Sequence, residues 1–245
     1  MGNSPDVTIC IKTLVRPLLL KRLLDSLMYT TEPGARIIVA DDSPDHLQSD
    51  GLCAEYPGVR FLPLEDDVGL SAGRNAMIDA IDTSYFVMLD DDFVSVDAHA
   101  ISMLVDSVRC GLFDIAGGHV THHGQHAHYE GFIEVRDRTL HLTSLKHPVS
   151  GPTRCDITYN FLAGDAQKAR HVRWDDRLKL CEHQAFFLRA KAAGLNVGYV
   201  PDAWIDHQPS SPPAYSPYRK TRSGQYFELF KELYGIDQIS GSLSV

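Results

Sequence analysis

The sequence predicts an α/β protein whose mainly parallel sheet is covered by helices on both faces. Short apolar runs alternate with leucine-rich helical patterns through the N-terminal half of the chain, and this alternation is typical of parallel sheets. Three polar clusters follow the ends of predicted strands. The composition, 44% hydrophobic and 22% charged, is that of a globular protein with a buried core. The sequence contains no internal repeat and no convincing linker, so we predict one domain over residues 1–245.

The elements of the N-terminal half follow from residue periodicity. The apolar run from Val7 to Ile11 is rich in β-branched residues and predicts the first strand. Leucines at helical spacing between residues 17 and 29 predict the first helix. The same reasoning predicts further strands at 36–40, 59–64, 85–89 and 114–116, and helices at 71–81 and 97–109.

The C-terminal half is less regular. Its pattern predicts a hairpin at 130–145, a helix at 182–193, a strand at 196–200 and a final helix at 225–234. Residues 204–207 lead into a predicted loop between that strand and the final helix. Residues 208–224 are rich in proline, serine, tyrosine and basic residues. That composition is typical of a mobile segment.

Charge and composition argue against several classes of protein. The net charge of -9 disfavours general binding to nucleic-acid phosphates. The sequence has neither a run of eighteen apolar residues nor an apolar stretch at its N-terminus, so we expect no transmembrane helix and no secretory signal. Five scattered cysteines indicate reduced thiols. We therefore expect a cytoplasmic protein, in which the final helix and the basic residues before it could contact the inner membrane face.

The three polar clusters occupy equivalent positions in the predicted sheet. Lys12-Thr13, Asp41-Asp42 and the acidic run Asp90-Asp91-Asp92 each follow an apolar strand. Ligands of open α/β sheets bind outside the carboxyl ends of the strands. We therefore expect these distant residues to meet at one edge of the sheet.

The acidic run is the strongest candidate for a metal site. Three adjacent carboxylates repel one another, and a cation or solvent must offset that repulsion. Mg²⁺ and Mn²⁺ prefer oxygen ligands and often complete their coordination with substrate phosphates. The alternative is a solvated loop with a helix-capping aspartate, but the position at a strand end favours the metal. For Asp41 and Asp42, hydrogen bonding to a base or ribose and a simple turn motif both stay open.

Three further features have both a functional and a structural interpretation. Arg74 lies in the glycine-containing start of a helix, where backbone N–H groups could hold a phosphate. His207 could add a nitrogen ligand to the same cation, or be a surface residue. Glu182 opens a helix and could act as a general base, although a carboxylate there also compensates the helix dipole without any function.

In their order along the chain, these segments resemble family 2 and related inverting glycosyltransferases of the GT-A fold. The matching segments are residues 8–13, 39–43, 69–75 and 89–93. A finer resemblance is to the catalytic domain of ganglioside-type β-1,4-N-acetylgalactosaminyltransferases. It rests on residues 11–16, 90–93, 117–118, 160–163, 174–178 and 200–207.

The resemblance implies a role for each candidate residue. Asp41 or Asp42 would hold uracil near Thr13 and Arg16, Arg74 would lie near the diphosphate or ribose, Asp90 would contact the ribose, Asp91 would belong to the same donor site, and Asp92 and His207 would bind Mn²⁺ or Mg²⁺. Glu182 would be the base, although the chain has Glu182-His183 where such enzymes commonly have Glu-Asp. Residues 208–224 would close as a lid, in which Tyr218, Arg219, Lys220 and Arg222 would contact the diphosphate; the alternative is a plain surface segment.

These roles predict transfer of a sugar from a UDP-sugar to a hydroxyl of a glycan or glycolipid, with inversion. N-acetylgalactosamine is the first candidate sugar, ahead of N-acetylglucosamine, galactose and glucose. Residues 1–118 would bind the donor, and residues 119–245 would supply the acceptor site and the lid. A metal-dependent hydrolase or phosphotransferase and a non-catalytic nucleotide-sugar-binding domain are the alternatives. The oligomeric state is not predicted.

Four histidines (His122, His123, His126 and His128) lie in the glycine-containing segment 121–128. No cysteine lies near them in the sequence. The pattern therefore favours a solvated loop, or a loop that contacts the acceptor, over a second metal site.

Overall fold

The computed structural model describes residues 6–31, 35–44, 47–95, 97–210, 213–219, 221–241 and 243. The elements follow in the order β1 (Val7–Thr13), α1 (Pro17–Thr30), β2 (Arg36–Asp41), α2 (Leu47–Glu55), β3 (Val59–Pro63), α3 (Leu70–Ala80), β4 (Tyr85–Asp90), β5 (Phe93–Val94), α4 (Ala100–Arg109), β6 (Ile115–His122), β7 (Gln125–Ala127), β8 (Gly131–Arg136), β9 (Thr139–Ser144), β10 (Thr153–Cys155), β11 (Leu162–Asp165), α5 (Ala166–Val172), α6 (Glu182–Ala192), β12 (Val197–His207), α7 (Ser216–Arg219), α8 (Ser223–Tyr234) and β13 (Gln238–Gly241).

A ten-stranded sheet forms the centre of the molecule. Its strands lie in the order β10-β12-β6-β11-β4-β1-β2-β3, with β5 paired to β12 and β7 paired to β6. Strand β1 runs parallel to both β2 and β4, while β11 enters the sheet antiparallel between β4 and β6. The predicted α/β class is thus confirmed, and strands from both halves of the chain share one sheet.

Helices cover both faces of the sheet because successive side chains of each strand point to opposite faces. On β1, Ile9 and Ile11 pack into the core under α1 and α4, whereas Cys10 packs into the core under α3 and α6. Helix α1 begins at a proline and buries its leucine stripe against the first of these cores. Burial of each such leucine stabilises the fold by roughly 1.5–3 kcal/mol.

The C-terminal half departs from the sequence prediction in several places: β10, β11, α5, α7 and β13 were not predicted, and two segments differ from their predicted form. Residues 121–128, predicted as a loop, belong largely to a hairpin of β6 and β7. The strand predicted at 196–200 continues as β12 to His207, with an irregularity between Val200 and Trp204. Pairing with β6 on one side and β5 on the other extends β12, and local periodicity does not reveal such long-range pairing.

A second, three-stranded sheet has the order β13-β9-β8. Its hairpin of β8 and β9 confirms the hairpin predicted at 130–145. Within the described ranges, no helix has the length and apolar character needed to cross a membrane. The cytoplasmic location and the peripheral membrane contact stay predictions.

Candidate active site

The carboxyl ends of β1, β2 and β4 meet at one edge of the sheet. In the strand register, Lys12 lies beside Asp90, and Thr13 lies beside Asp41. The Thr13 hydroxyl donates a hydrogen bond of 2.7 Å to Asp91. The predicted meeting of the three polar clusters is therefore confirmed.

The acidic run forms the turn between β4 and β5, and its three carboxylates have different surroundings. Asp91 is fully buried and accepts hydrogen bonds from Thr13 and from the guanidinium of Arg16. Asp92 accepts a hydrogen bond of 2.8 Å from Arg16. Asp90 faces a cleft instead. Burial raises the pKa of Asp91, with Arg16 opposing the rise. Burial also acts to raise the pKa of Asp92, but His207 and Arg16 hold that pKa well below its usual range.

His207 reaches the acidic run because β5 pairs antiparallel with the end of β12, which places it opposite Phe93. Its Nε2 lies 3.2 Å from Asp92 Oδ1. That oxygen is buried, and no atom of the described residues has hydrogen-bond geometry to it. Two adjacent ligands of an octahedral cation, each about 2.1 Å from the metal, lie about 3 Å apart. Asp92 and His207 therefore fit a divalent cation.

A buried arginine connects α3 to the acidic run and to α6. The side chain of Arg74 is 1% exposed, pairs closely with Glu182 and lies 2.9 Å from Asp90 Oδ1. Burial acts to lower the pKa of Arg74, but the two carboxylates raise it overall. Both carboxylates are thus held by one cation on the wall of the cleft.

Asn160 and His183 complete this polar network. Asn160 donates a 3.2 Å hydrogen bond to Asp90 Oδ2, and its own oxygen lies 2.8 Å from Nδ1 of His183. The other ring nitrogen of His183 lies 2.5 Å from the carbonyl oxygen of Thr158. Burial lowers the pKa of His183 to about 4, so the ring is neutral at pH 7. A neutral ring has a single N–H for these two acceptor oxygens, so His183 donates to Asn160 or to Thr158 but not to both.

Asp41 and Asp42 differ in direction although they are adjacent. Asp41 accepts hydrogen bonds from the backbone and hydroxyl of Ser43 and does not line the cleft. Asp42 pairs with Lys12 and accepts a 3.0 Å hydrogen bond from the backbone of Gly69. Asp42 also lines a narrow crevice of about 30 Å³ beside the cleft, together with Thr13. Of the two aspartates, Asp42 is the one that lines this crevice.

The predicted lid, residues 208–224, places some of its candidate donor-binding residues at the cleft or the crevice beside it and leaves others outside. Tyr215, which the sequence reasoning missed, lies 4.3 Å beneath the guanidinium of Arg16 and 3.3 Å from Arg219. Tyr218 and Arg219 line the narrow crevice. Arg222 lines neither the crevice nor the cleft, but it forms two 2.8 Å hydrogen bonds with Asp67, which does line the crevice. Lys220 lies outside the described residues.

The cleft that collects these groups has a volume of about 380 Å³. The candidate residues on its wall are Arg16, Arg74, Asp90, Asp92, Glu182, His207 and Arg219. The cleft is also lined by Lys12, Tyr129, Tyr159, Asn160, His183 and Tyr215. The sequence predicted Lys12 at this edge but gave none of these six residues a specific role. Residues 160–163 and His183 were noted only as part of a resemblance, because nothing local shows that Asn160 and His183 meet Asp90.

Comparison with known proteins supports a single family. Residues 8–159 match the family described as Glycosyl transferase family 2. The chain is 32% identical over 216 residues to Beta-1,4 N-acetylgalactosaminyltransferase 2 of Mus musculus, covering 84% of this chain and 40% of that protein. It is 30% identical over 217 residues to Beta-1,4 N-acetylgalactosaminyltransferase 1 of Rattus norvegicus, covering 83% of this chain and 39% of that protein. The chain thus spans about 40% of the length of these curated relatives.

Solved structures confirm the predicted GT-A fold. Residues 1–349 of TarS from S. aureus, crystallised in complex with UDP-GlcNAc, match with a TM-score of 0.68 at 13% identity, covering 95% of this chain and 67% of that chain. The same TarS fragment in a second crystal structure matches with a TM-score of 0.63 at 14% identity, covering 87% of this chain and 63% of that chain. At these identities the likeness concerns the fold.

Proposed function

Because the chain belongs to glycosyl transferase family 2, we propose that it transfers a sugar from a UDP-sugar to a hydroxyl of a glycan or glycolipid, with inversion and with a divalent cation. The observation that carries the proposal is the meeting of a cation-binding pair, a buried arginine and a helix-opening glutamate in one cleft.

The donor would bind at the carboxyl edge of β1 and β4. Asp92 and His207 would hold Mn²⁺ or Mg²⁺, which when bound would neutralise charge on the departing UDP. Asp90 would accept hydrogen bonds from the ribose, with Asn160 and Arg74 fixing its direction. Asp42, in the crevice with Thr13, is the better placed of the two aspartates to reach uracil. Arg16, Tyr218 and Arg219 would surround the diphosphate.

Glu182 would activate the acceptor. It opens α6 on the wall of the cleft, where it is 4% exposed and paired with Arg74. Glu182 would take the proton of the acceptor hydroxyl as that oxygen attacks the anomeric carbon. The bond from that carbon to the phosphate oxygen breaks in line, and UDP leaves with the electron pair. Attack on the opposite face from the leaving group inverts the anomeric centre.

Aromatic residues beside Glu182 offer a surface for the acceptor. Tyr129 and Tyr159 line the cleft with their ring centroids 5.2 Å apart. The Gln184 side chain donates a 2.5 Å hydrogen bond to the Tyr129 hydroxyl and so orients it. Tyrosine rings that are held in this way suit the apolar faces and hydroxyls of a sugar. The acceptor would then bind to residues of the C-terminal half, in agreement with the expectation that residues 119–245 supply the acceptor site.

N-acetylgalactosamine is the sugar we propose first, because the mouse and rat relatives are named for its transfer. N-acetylglucosamine is the next candidate, since TarS was crystallised with UDP-GlcNAc. The experiment is transfer from each UDP-sugar to a panel of glycan and glycolipid acceptors with Mn²⁺, read as released UDP and as product mass. A metal-dependent hydrolase or phosphotransferase would instead turn over a phosphate ester without any acceptor sugar, and that result would overturn the proposal.

The role of Glu182 is tested by Glu182→Gln, with Glu228→Gln as the matched control. Glu228 lies on the surface of α8, with a side chain that is 69% exposed and pairs with Lys231. We expect Glu182→Gln to bind UDP-sugar as the wild type does but to lose at least about 10²-fold in transfer rate. Undiminished transfer would remove Glu182 from the role of base. Undetectable transfer by the wild type, despite donor binding, would favour the non-catalytic nucleotide-sugar binder.

A further inference from the structure

A cluster of histidines surrounds a buried glutamate away from the proposed donor site. Glu130, which is 1% exposed, immediately precedes β8. His119 on β6 and His128 after β7 lie close to it, and His147 approaches it from the loop after β9. His126 on β7 packs against the rings of His119 and His128. The sequence pattern favoured a solvated loop here. The pairing of β6 with β7 instead brings His126 and His128 against a histidine that lies outside that segment.

The ligand atoms of the cluster are close together. One atom each from His119, His128 and Glu130 lies within 4.8 Å of the other two. Glu130 Oε1 is 2.9 Å from Nδ1 of His128 and 2.7 Å from Nε2 of His147. The His147 nitrogen is buried but is not aligned with that oxygen for a hydrogen bond. Zn²⁺ with bonds of about 2.0–2.2 Å to nitrogen and oxygen fits among atoms at such separations after small rotations of the side chains.

The charges of the cluster also favour a cation. The ion-pair partners of Glu130 among the described residues are His128 and His147, and these compensate its charge only when protonated. Neutral imidazole is the form of histidine that binds metals. The buried carboxylate of Glu130 therefore offers an oxygen ligand beside the nitrogen ligands of the surrounding imidazole rings.

We propose that His119, His128 and Glu130 bind a transition-metal ion of the Zn²⁺ type, at a site separate from the Mn²⁺ or Mg²⁺ of the donor. Two imidazole nitrogens and one carboxylate suit Zn²⁺ better than they suit hard cations, which prefer oxygen ligands. The His119 ring makes two hydrogen bonds, one between Nε2 and His126 at 2.7 Å and one between Nδ1 and Tyr199 at 2.9 Å. A bound metal would replace one of these bonds, and the other would orient the ring.

The two sites lie on opposite faces of β6. His119 and His122 are three residues apart on this strand, so their side chains point to opposite faces of the sheet. His122 contacts His207, on the side of the donor site. On the other face, Nδ1 of His119 forms a 2.9 Å hydrogen bond with the hydroxyl of Tyr199. A metal in the histidine cluster would therefore not share ligands with Asp92 and His207.

The histidine cluster is nevertheless connected to the proposed acceptor surface. Tyr129, between His128 and Glu130 in sequence, lines the cleft, and its backbone N–H donates a 2.9 Å hydrogen bond to Glu130 Oε2. A metal that held His128 and Glu130 would fix the backbone on both sides of Tyr129. Zinc at this site would then stabilise the aromatic wall on which the acceptor is proposed to rest.

The test is equilibrium dialysis of the purified chain against Zn²⁺, followed by metal analysis, with His128→Gln compared with His123→Gln. Both histidines are exposed in the same segment, but His123 lies outside the cluster. We expect one tightly bound Zn²⁺ per wild-type chain, unchanged binding in His123→Gln, and affinity at least about tenfold weaker in His128→Gln. Equal binding by His128→Gln and the wild type would overturn the proposal, as would no bound Zn²⁺ in the wild type.

Two further measurements separate this site from the donor site and from misfolding. Asp92→Asn should bind Zn²⁺ at this site as the wild type does, and loss of binding in that variant would assign the ion to the donor site instead. Co²⁺ in place of Zn²⁺ should give a visible absorption band of a low-coordinate nitrogen and oxygen site, and His128→Gln should lose it. Circular dichroism of His128→Gln should match the wild type, because His128 is exposed. A Co²⁺ band that survives in His128→Gln would contradict the ligand assignment.

Discussion

Replacing Arg74 with methionine removes the cation that holds Glu182 and Asp90 on the wall of the cleft. The side chains of Arg74 and Glu182 are 1% and 5% exposed, so the pair is buried, whereas Asp90 is 27% exposed and keeps part of its hydration. Breaking a buried ion pair costs about 3–5 kcal/mol, because the remaining charge has no partner. For a chain of this size, each kcal/mol lowers Tm by about 2–4 °C, which gives a loss of about 6–20 °C.

The measurement is urea and thermal unfolding of Arg74→Met beside Arg36→Met. Arg36 pairs with Asp82, and their side chains are 45% and 83% exposed, so its replacement should cost about 1 kcal/mol or less. The double variant Arg74→Met, Glu182→Gln should be more stable than Arg74→Met alone, because the carboxylate left without a partner is also removed. If Arg74→Met were no less stable than Arg36→Met, the buried network would not support the cleft as described.

Two other features give separate predictions. Burial lowers the pKa of His183 from about 6.5 in the unfolded chain to about 4 in the folded chain. The contribution of the neutral ring to the free energy of unfolding is therefore fully present above about pH 6.5 and is lost as the pH falls towards 4. Urea titrations at pH 7.5 and pH 5 measure this: between the two pH values, the free energy of unfolding should fall by about 2 kcal/mol more in the wild type than in His183→Asn. Parallel pH profiles of the two proteins would contradict this assignment. A β-carbon at Gly118 would lie 2.6 Å from the carbonyl oxygen of Ala203, so Gly118→Ala should cost about 1–3 kcal/mol in the same titrations. Gly58, with no atom within 4 Å of such a carbon, is the control, and equal stability of the two alanine variants would refute the close approach.

Local pattern was sufficient for most of the elements in the N-terminal half and for the edge where the site lies. The strands β1, β2 and β4 end at polar clusters, and parallel pairing alone brings Thr13, Asp42 and Asp90 to one edge. The helix start at Glu182 was also correct. These features depend on periodicity and on residues adjacent in sequence, and such information is present in a single chain.

The remaining features depend on contacts between residues that are distant in sequence. Arg74 meets Glu182 across 108 positions, and Asn160 meets Asp90 across 70. The distinction between Asp41 and Asp42 depends on the loop that turns one towards Ser43 and the other towards Gly69. The histidine cluster arises from the pairing of β6 with β7, which residue composition does not show. Such pairings are fixed by tertiary packing and so were not predicted.

The most direct measurement is calorimetric binding of UDP-N-acetylgalactosamine with and without Mn²⁺, in the wild type, Asp92→Asn and Asp106→Asn. Asp106 is an exposed aspartate on α4 that pairs with Arg109 and serves as the matched control. We expect Mn²⁺ to strengthen binding in the wild type and in Asp106→Asn, and that gain to fall by at least about tenfold in Asp92→Asn. Binding that is equally tight without Mn²⁺, or that is unchanged in Asp92→Asn, would contradict a metal-dependent donor site at the acidic run.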